Sequence, residues 1–80
     1  MGRFEKGTVV RVTAGKEKGS IFVVVEDFNI RQVLIADGRH RKLDRPRKKS
    51  IKHLEVLGRI QEPLLSADRL IWKSLSPFRG

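Results

Sequence analysis

Short runs of β-branched and aromatic residues, broken by glycine-containing turns, occupy residues 8–57. The run TVVRVT at 8–13 follows Gly7, and the run SIFVVVE at 20–26 follows Gly19. Runs of this composition favour strands, and no helical period is sustained over the stretch. The near-continuous apolar character of the second run further predicts a strand that is buried on both faces.

Turn-forming residues divide this stretch into five predicted strands. AGKEKG at 14–19 predicts the turn of a first hairpin, residues 27–31 predict a connection, and Asp37-Gly38 is typical of a two-residue hairpin turn. Five short strands joined so closely predict an all-β unit that folds as a small, strongly curved barrel or sandwich. The predicted strands are 8–13, 20–26, 32–36, 39–43 and 50–57.

A change of pattern beyond Gly58 and Pro63 predicts a short C-terminal helix. Apolar residues at helical spacing place this helix at about residues 66–75, with Ser66 as its N-cap. Ser76-Pro77 is expected to end it, because proline disfavours helical geometry in the residue before it. The apolar stripe consists of Leu64, Ala67, Ile71 and Leu75.

We expect the stripe to pack on the β unit, since a helix this short is marginal without a surface to cover; docking to another protein is the alternative. Trp72 is expected to cover an open end of the barrel, with stacking on RNA as the less favoured alternative, and residues 78–80 are expected to fray. The predicted division is a barrel at 1–58 that contains a basic loop at 39–52, followed by a tail at 59–80.

The positive charge of the chain is concentrated in one segment. The formal charge is +9, and residues 39–52 hold eight lysines and arginines against a single acid, Asp44. Like charges at this density repel one another. A bound polyanion would reduce this repulsion, and it would release its own condensed counterions on binding. Pro46 keeps the segment from forming a regular helix or a central strand. We therefore predict a presented loop that contacts an RNA backbone; a solvated loop that only aids solubility is the less favoured interpretation.

The expected RNA-binding residues lie in this loop and in the AGKEKG turn, where glycines permit close approach of the backbone. Arginine suits bidentate contact with phosphate, and histidine can stack on a base. The turn glycines are Gly15, Gly19 and Gly38. The expected RNA-binding residues are Lys16, Lys18, Arg39, His40, Arg41, Lys42, Arg45, Arg47, Lys48, Lys49 and Lys52.

Other classes of protein are disfavoured by what the sequence lacks. There is no cysteine, which excludes a disulfide framework and cysteine-based zinc sites, and His40 and His53 have no further ligands at zinc-site spacing. AGKEKG lacks the lysine-serine/threonine ending of a nucleotide-binding loop. No apolar run approaches a membrane span, and residues 1–6 lack a secretory core. We expect a cytoplasmic monomer with no enzymatic activity, cofactor, metal or membrane partner.

Residues 5–31 resemble a KOW motif, the strand–turn–strand unit of ribosomal and transcription-elongation proteins. Farther along, the stretch that ends in IKHLE at 51–55 is similar to KOW-type large-subunit ribosomal proteins of archaea and eukaryotes, the group numbered fourteen-e, six-e and twenty-seven-e. Together the resemblance covers about residues 3–57. The matching residues are Glu5-Lys6-Gly7, VVRV at 9–12, Ala14-Gly15-Lys16, Lys18-Gly19, FVVVE at 22–26, Asp37-Gly38 and Arg47-Lys48-Lys49.

The resemblance implies an SH3-like five-stranded β-barrel that binds ribosomal RNA and is associated with the ribosome. It further implies that Gly15 shapes the first hairpin, that Lys16 and Lys18 approach phosphates, and that residues 39–52 lie along the RNA backbone. The alternative is a KOW module that binds proteins of the transcription or translation machinery. That function needs an exposed apolar patch, for which the candidates are Trp72, Phe78 and Phe28. Adsorption to anionic lipid is a weaker third possibility, because no long amphipathic helix adjoins the basic run.

Overall fold

Five strands form one antiparallel open sheet in the computed structural model, which describes residues 4–80. The strand order across the sheet is β4-β3-β2-β1-β5. The first three residues of the predicted domain lie outside the described residues. The strands are β1 (Thr8–Val12), β2 (Ile21–Asn29), β3 (Gln32–Ala36), β4 (Arg47–Ser50) and β5 (Leu54–Arg59).

Short helical segments complete the chain. A 3₁₀ turn at Ile51–His53 joins β4 to β5, and a second at Glu62–Ser66 follows the sheet. Two short helices come next, α1 (Asp68–Ser74) and α2 (Ser76–Arg79). The predicted mostly β chain of five strands with a short C-terminal helix is confirmed. Within residues 4–80, no helix has the length and apolar character needed to cross a membrane.

Each face of the sheet carries its own apolar cluster, because the buried residues of β1 and β2 alternate between the two faces. The predicted burial of β2 on both faces is confirmed over Ile21–Val24, all of which are buried. The first cluster consists of Val10, Val12, Phe22, Val24, Val33, Ile35 and Leu54, with Phe4 and Ile51 packed against it. The second cluster consists of Val9, Ile21, Val23, Ile71 and Leu75, with Val25, Leu43, Leu57, Ile60, Leu65 and Phe78 packed against it.

The C-terminal segment covers the second face of the sheet. Ile71 and Leu75 are each 0% exposed in the second cluster, which confirms that the core contains these two members of the predicted stripe. Leu64 and Ala67 are half-buried and stand outside both clusters. The reason is local: Glu62–Ser66 is a 3₁₀ segment and Ala67 is extended, so the helical period does not reach back to Leu64.

The predicted start of the tail helix is wrong, whereas its predicted end at about residue 75 agrees with α1, which ends at Ser74. Ala67, not Ser66, is the N-cap of α1, and no side chain caps it. Ser76-Pro77 follows the end of α1 but opens α2, since proline is tolerated in the first turn of a helix. Phe78 packs on the second cluster, so the prediction that it frays is also wrong.

The predicted return strand at 39–43 is wrong, because residues 37–46 form a long connection and β4 begins only at Arg47. The Asp37 side chain holds the following residues in a turn instead of an extended strand. The fifth strand, predicted at 50–57, is observed at Leu54–Arg59, since Ile51–His53 adopts a 3₁₀ turn. The predicted loop at 39–52 therefore contains a loop, an edge strand and a turn.

The connection predicted at 27–31 is shorter in the structure, because β2 continues to Asn29 and only residues 30–31 form the turn. The register of β2 against β3 shifts between Val24 and Glu26 and again between Asp27 and Asn29. Such bulges let a strand continue through residues with turn-like composition. The turn itself is tight: Asn29 Oδ1 accepts hydrogen bonds from the amides of Arg31 and Gln32, at 2.8 and 2.9 Å.

Candidate nucleic-acid interface

A buried carboxylate organises the start of the basic loop. Asp37, directly after β3, is 3% exposed. Its Oδ1 accepts hydrogen bonds from the amides of Arg39, His40 and Arg41 at 3.0, 2.8 and 2.9 Å, and its Oδ2 lies 2.9 Å from His40 Nδ1. The amides of Asp37 and Gly38 in turn donate to the carbonyl of Arg41. These bonds fix residues 37–41 in one conformation and aim three successive basic side chains outward.

The same bonds set the protonation of Asp37. Burial raises the pKa of Asp37, but hydrogen bonds from the backbone of Arg41 and Arg39, together with the side chain of His40, outweigh that effect and hold the pKa below its ordinary value. The carboxylate is therefore ionised at neutral pH. An ionised acceptor makes stronger hydrogen bonds than a neutral one, so the turn is most firmly held in this state.

Helix α1 holds this turn from the other side. Gly38 has φ +84° and packs against the carbonyl of Asp68 and the amide nitrogen of Trp72. Asp68 Oδ1 accepts a hydrogen bond of 2.8 Å from the amide of Leu43, and the Leu43 side chain packs on the second cluster. Residues 37–43 are therefore clamped between the sheet and the C-terminal helix, and the cations they carry have a defined direction.

Glu17, in the AGKEKG turn, joins that turn to the basic segment. Its carboxylate lies 3.6 Å from Arg41 Nε and 3.3 Å from Arg47 Nε. Lys49 also reaches the turn, since its Nζ would lie 3.6 Å from a Cβ atom at Gly15. The two sequence segments expected to bind RNA therefore meet, and we call this region the cationic surface. Its cations are Lys16, Lys18, Arg39, Arg41, Lys42, Arg45, Arg47 and Lys49.

Most cations of this surface have no internal counter-charge. Within residues 4–80, only Arg41 and Arg47 of the eight lie within 4.0 Å of a carboxylate. The chain places other acids elsewhere: Glu5, Glu26, Asp27 and Glu62 line a separate depression together with Lys6 and Arg59. Unpaired like charges on one surface create a positive potential that attracts and steers polyanions.

A depression of about 300 Å³ opens within the cationic surface. Its lining is almost wholly basic, with one carboxylate, that of Asp44. Groups of this kind contact anionic oxygens, as arginine does in bidentate pairs with phosphate. The lining residues are Arg39, His40, Arg41, Lys42, Asp44 and Arg45.

Trp72 lies beside this depression, and the side chains of three basic residues lie near its indole ring. Arg79 Cζ lies 3.7 Å from the centroid of the indole, and Arg39 Cζ lies 5.1 Å from it. The His40 ring is 5.8 Å away in an edge-to-face arrangement. Trp72 belongs to neither apolar cluster of the described residues.

Sequence reasoning missed the roles of Arg79, Glu17 and Asp68. Arg79, in α2, reaches the site because its Nη2 donates a 2.9 Å hydrogen bond to the carbonyl of Trp72, seven residues earlier. Glu17 contacts Arg41 and Arg47, and Asp68 accepts a hydrogen bond from Leu43, 25 residues earlier. No local pattern joins residues this far apart in sequence, and only the tertiary packing brings them together.

Two expected RNA-binding residues lie apart from the rest. In β4, Arg47 and Lys49 pair with Ile35 and Val33, and the alternation of a strand places Lys48 on the opposite face. Lys48 Nζ lies 4.3 Å from the centroid of the Phe28 ring. Lys52 is exposed in the 3₁₀ turn between β4 and β5, outside the segments that form the cationic surface.

Comparison with known proteins adds no family assignment. No protein-family model matches the chain, and no curated protein matches it significantly. Within residues 4–80 there is also no group of three or more histidine, aspartate or glutamate side chains placed to hold a metal ion. The interpretation of the site therefore depends on its geometry and charge.

Proposed function

We propose that this protein binds RNA without catalysing a reaction and that it does so through the cationic surface. The observation that carries the proposal is the convergence of the AGKEKG turn, residues 39–45 and one face of β4, with six of eight cations lacking a nearby carboxylate within residues 4–80. The mutual repulsion of these cations therefore persists in the folded protein. A polyphosphate backbone would neutralise it and release condensed counterions.

We further propose that the sheet is an SH3-like barrel of the KOW type and that the RNA is ribosomal. The strand order β4-β3-β2-β1-β5 supports this, as does the positive φ of 90° at Gly15, the glycine that matches the motif. Contacts to phosphates position a protein without reading sequence. Recognition would therefore depend on the shape of a folded RNA, as it does for structured RNA in general.

Salt dependence tests the mechanism. If about four to six phosphates are neutralised, log K should fall against log salt with a slope of roughly −4 to −5. The measurement is a filter-binding titration of a structured ribosomal RNA fragment between about 50 and 300 mM salt. A nearly flat response would contradict the proposal, because affinity would then come from contacts other than phosphates.

A charge-matched pair of variants tests the location. Lys42→Ala/Arg45→Ala removes two exposed cations that line the depression, whereas Lys6→Ala/Arg11→Ala removes two exposed cations elsewhere. We expect the first variant to weaken binding about tenfold and to make the slope shallower by about two. The second variant should change affinity less than about threefold. Equal losses in both would show that net charge alone, not the cationic surface, drives binding.

The alternative function, protein docking, rests on two exposed residues near the β2–β3 turn. Phe28 is 48% and Ile30 is 88% exposed, whereas Phe78, another expected member of such a patch, packs on the second cluster. Purification from cells before and after nuclease treatment separates the two functions. A partner lost with nuclease supports RNA binding, and a protein partner that survives nuclease and is lost in Phe28→Ala supports docking.

A further inference from the structure

The indole of Trp72 borders the depression in the cationic surface. Arg39 and His40 both line the depression and contact Trp72, so the ring borders the expected path of the phosphates. Trp72 itself is only half-buried. Its large apolar ring therefore faces cations and solvent, away from both apolar clusters.

The backbone that carries the ring is held in place by packing. Its neighbour in α1, Ile71, is 0% exposed in the second cluster, as is Leu75 one turn farther on. Gly38 packs on the backbone of Trp72 from the other side, so closely that a β-carbon at Gly38 would lie 3.1 Å from the Trp72 amide nitrogen. An aromatic side chain on an anchored backbone beside a basic groove is the arrangement on which single-stranded nucleic acids stack their bases.

A flat group already lies on this ring. The Arg79 guanidinium is 3.7 Å from the ring centroid, which is a stacking separation, and its Nη2 donates a hydrogen bond to the Trp72 carbonyl. Cation–π contacts at exposed sites are weak. A nucleobase offers a larger flat surface, and a displaced Arg79 could pair with the phosphate next to that base.

We propose that Trp72 stacks on an unpaired nucleobase whose flanking phosphate lies in the depression lined by Arg39 and His40. This inference rests on the proposed RNA-binding function and adds a preference: the protein distinguishes an unpaired nucleotide from a fully paired duplex. A base inside a duplex is covered by its neighbours and cannot reach the indole. The phosphates of a duplex can still reach the cationic surface.

The test uses two RNA probes and the full chain. One probe is a blunt duplex of about 16 base pairs, and the other is the same duplex with a single bulged adenosine. Trp72 is the only tryptophan, so its fluorescence reports directly on stacking. We expect the bulged probe to quench Trp72 strongly and to bind about tenfold more tightly than the blunt duplex, which is within the range for one stacked base.

Variants then separate stacking from folding. Trp72→Leu should lose the preference for the bulged probe, whereas Trp72→Phe should keep part of the preference because it keeps a ring. Circular dichroism of each variant checks the fold. If Trp72→Leu does not fold, acrylamide quenching of the unchanged protein decides: the bulged probe, and not the duplex, should protect Trp72.

The inference and the proposed function fail differently. Equal affinity for both probes, with unchanged Trp72 fluorescence and acrylamide access, overturns the stacking inference and leaves RNA binding intact. Failure to bind either probe, or any structured RNA, overturns the proposed function itself. A bulge preference that persists in Trp72→Leu also overturns the inference, because another residue would then receive the base.

Discussion

Gly38, at the start of the basic loop, lies directly against the backbone carbonyl of Asp68, the first residue of α1. A β-carbon at this position would overlap that carbonyl, and φ is +84°. Only glycine fits without strain. The contact joins the loop to the helix, so the direction of the cations depends on it.

Gly38→Ala should therefore destabilise the protein by about 2–4 kcal/mol, from left-handed strain of about 1–2 kcal/mol plus the displacement of α1 from the loop. Urea unfolding followed by circular dichroism measures the change. Gly19→Ala is the matched control, since Gly19 also has a positive φ, of 90°, but no atom lies near its missing β-carbon. That variant should be destabilised only by the left-handed backbone strain, about 1–2 kcal/mol. Equal losses would mean that the Gly38–Asp68 contact contributes nothing.

The next prediction concerns Asp37, whose Oδ1 accepts hydrogen bonds from three backbone amides. Asp37→Ala leaves those donors without their acceptor and should cost about 2–3 kcal/mol in the free energy of unfolding, measured in urea. Asp37→Asn keeps an oxygen acceptor without the charge, and should cost about 1 kcal/mol. A loss as large in the asparagine variant as in the alanine variant would show that charge, not the acceptor, holds the turn.

The pH dependence of stability follows from the direction of the Asp37 shift. The folded pKa lies below the ordinary value of 3.8, so the stability from the ionised group is fully present above about pH 4 and is lost as pH falls through the folded pKa. We expect the unfolding free energy of the unchanged protein to drop in that acid window. The Asp37→Asn variant should lack this part of the drop, and an acid profile that is the same in both proteins would contradict the assignment.

The strands that could be predicted are those whose own composition decides their conformation. β1 and β3 follow from runs of valine and isoleucine, and the expected 8–13 and 32–36 agree closely with Thr8–Val12 and Gln32–Ala36. β4 could not be predicted, because its sequence RKKS has no apolar residue. It is a strand because it pairs with β3, and such tertiary pairing overrides local preference.

The candidate site likewise has features that could be predicted from the sequence and features that could not. Charge density alone predicted that residues 39–52 contact a polyanion, because the charge of a segment can be counted without knowing the fold. The connections that organise the site are long-range: Glu17 to Arg47, and Asp68 to Leu43. Asp37 is an intermediate case, because its turn-forming role was predictable while its effect on the return strand was not.

Removal of the Glu17 carboxylate tests whether this acid partly neutralises the cationic surface. Glu17→Gln removes the carboxylate that lies beside Arg41 and Arg47 and leaves a side chain of the same shape. We expect RNA affinity to rise about threefold near 50 mM salt, with the gain shrinking at higher salt as screening increases. Filter binding at two salt concentrations measures it. Weaker binding by the variant would instead mean that Glu17 orients the two arginines for RNA.

The two lysines in the middle of β4 give the sharpest test of which face meets RNA, since they have equal charge and adjacent positions. Lys49 reaches the AGKEKG turn beside Gly15, whereas Lys48 lies on the opposite face over the Phe28 ring. Lys49→Ala should weaken RNA binding about threefold to fivefold and make the salt slope shallower by about one. Lys48→Ala should leave both quantities nearly unchanged. Because the net charge of the two variants is identical, equal losses would refute a one-sided interface, and a larger loss for Lys48→Ala would place the RNA on the Phe28 side.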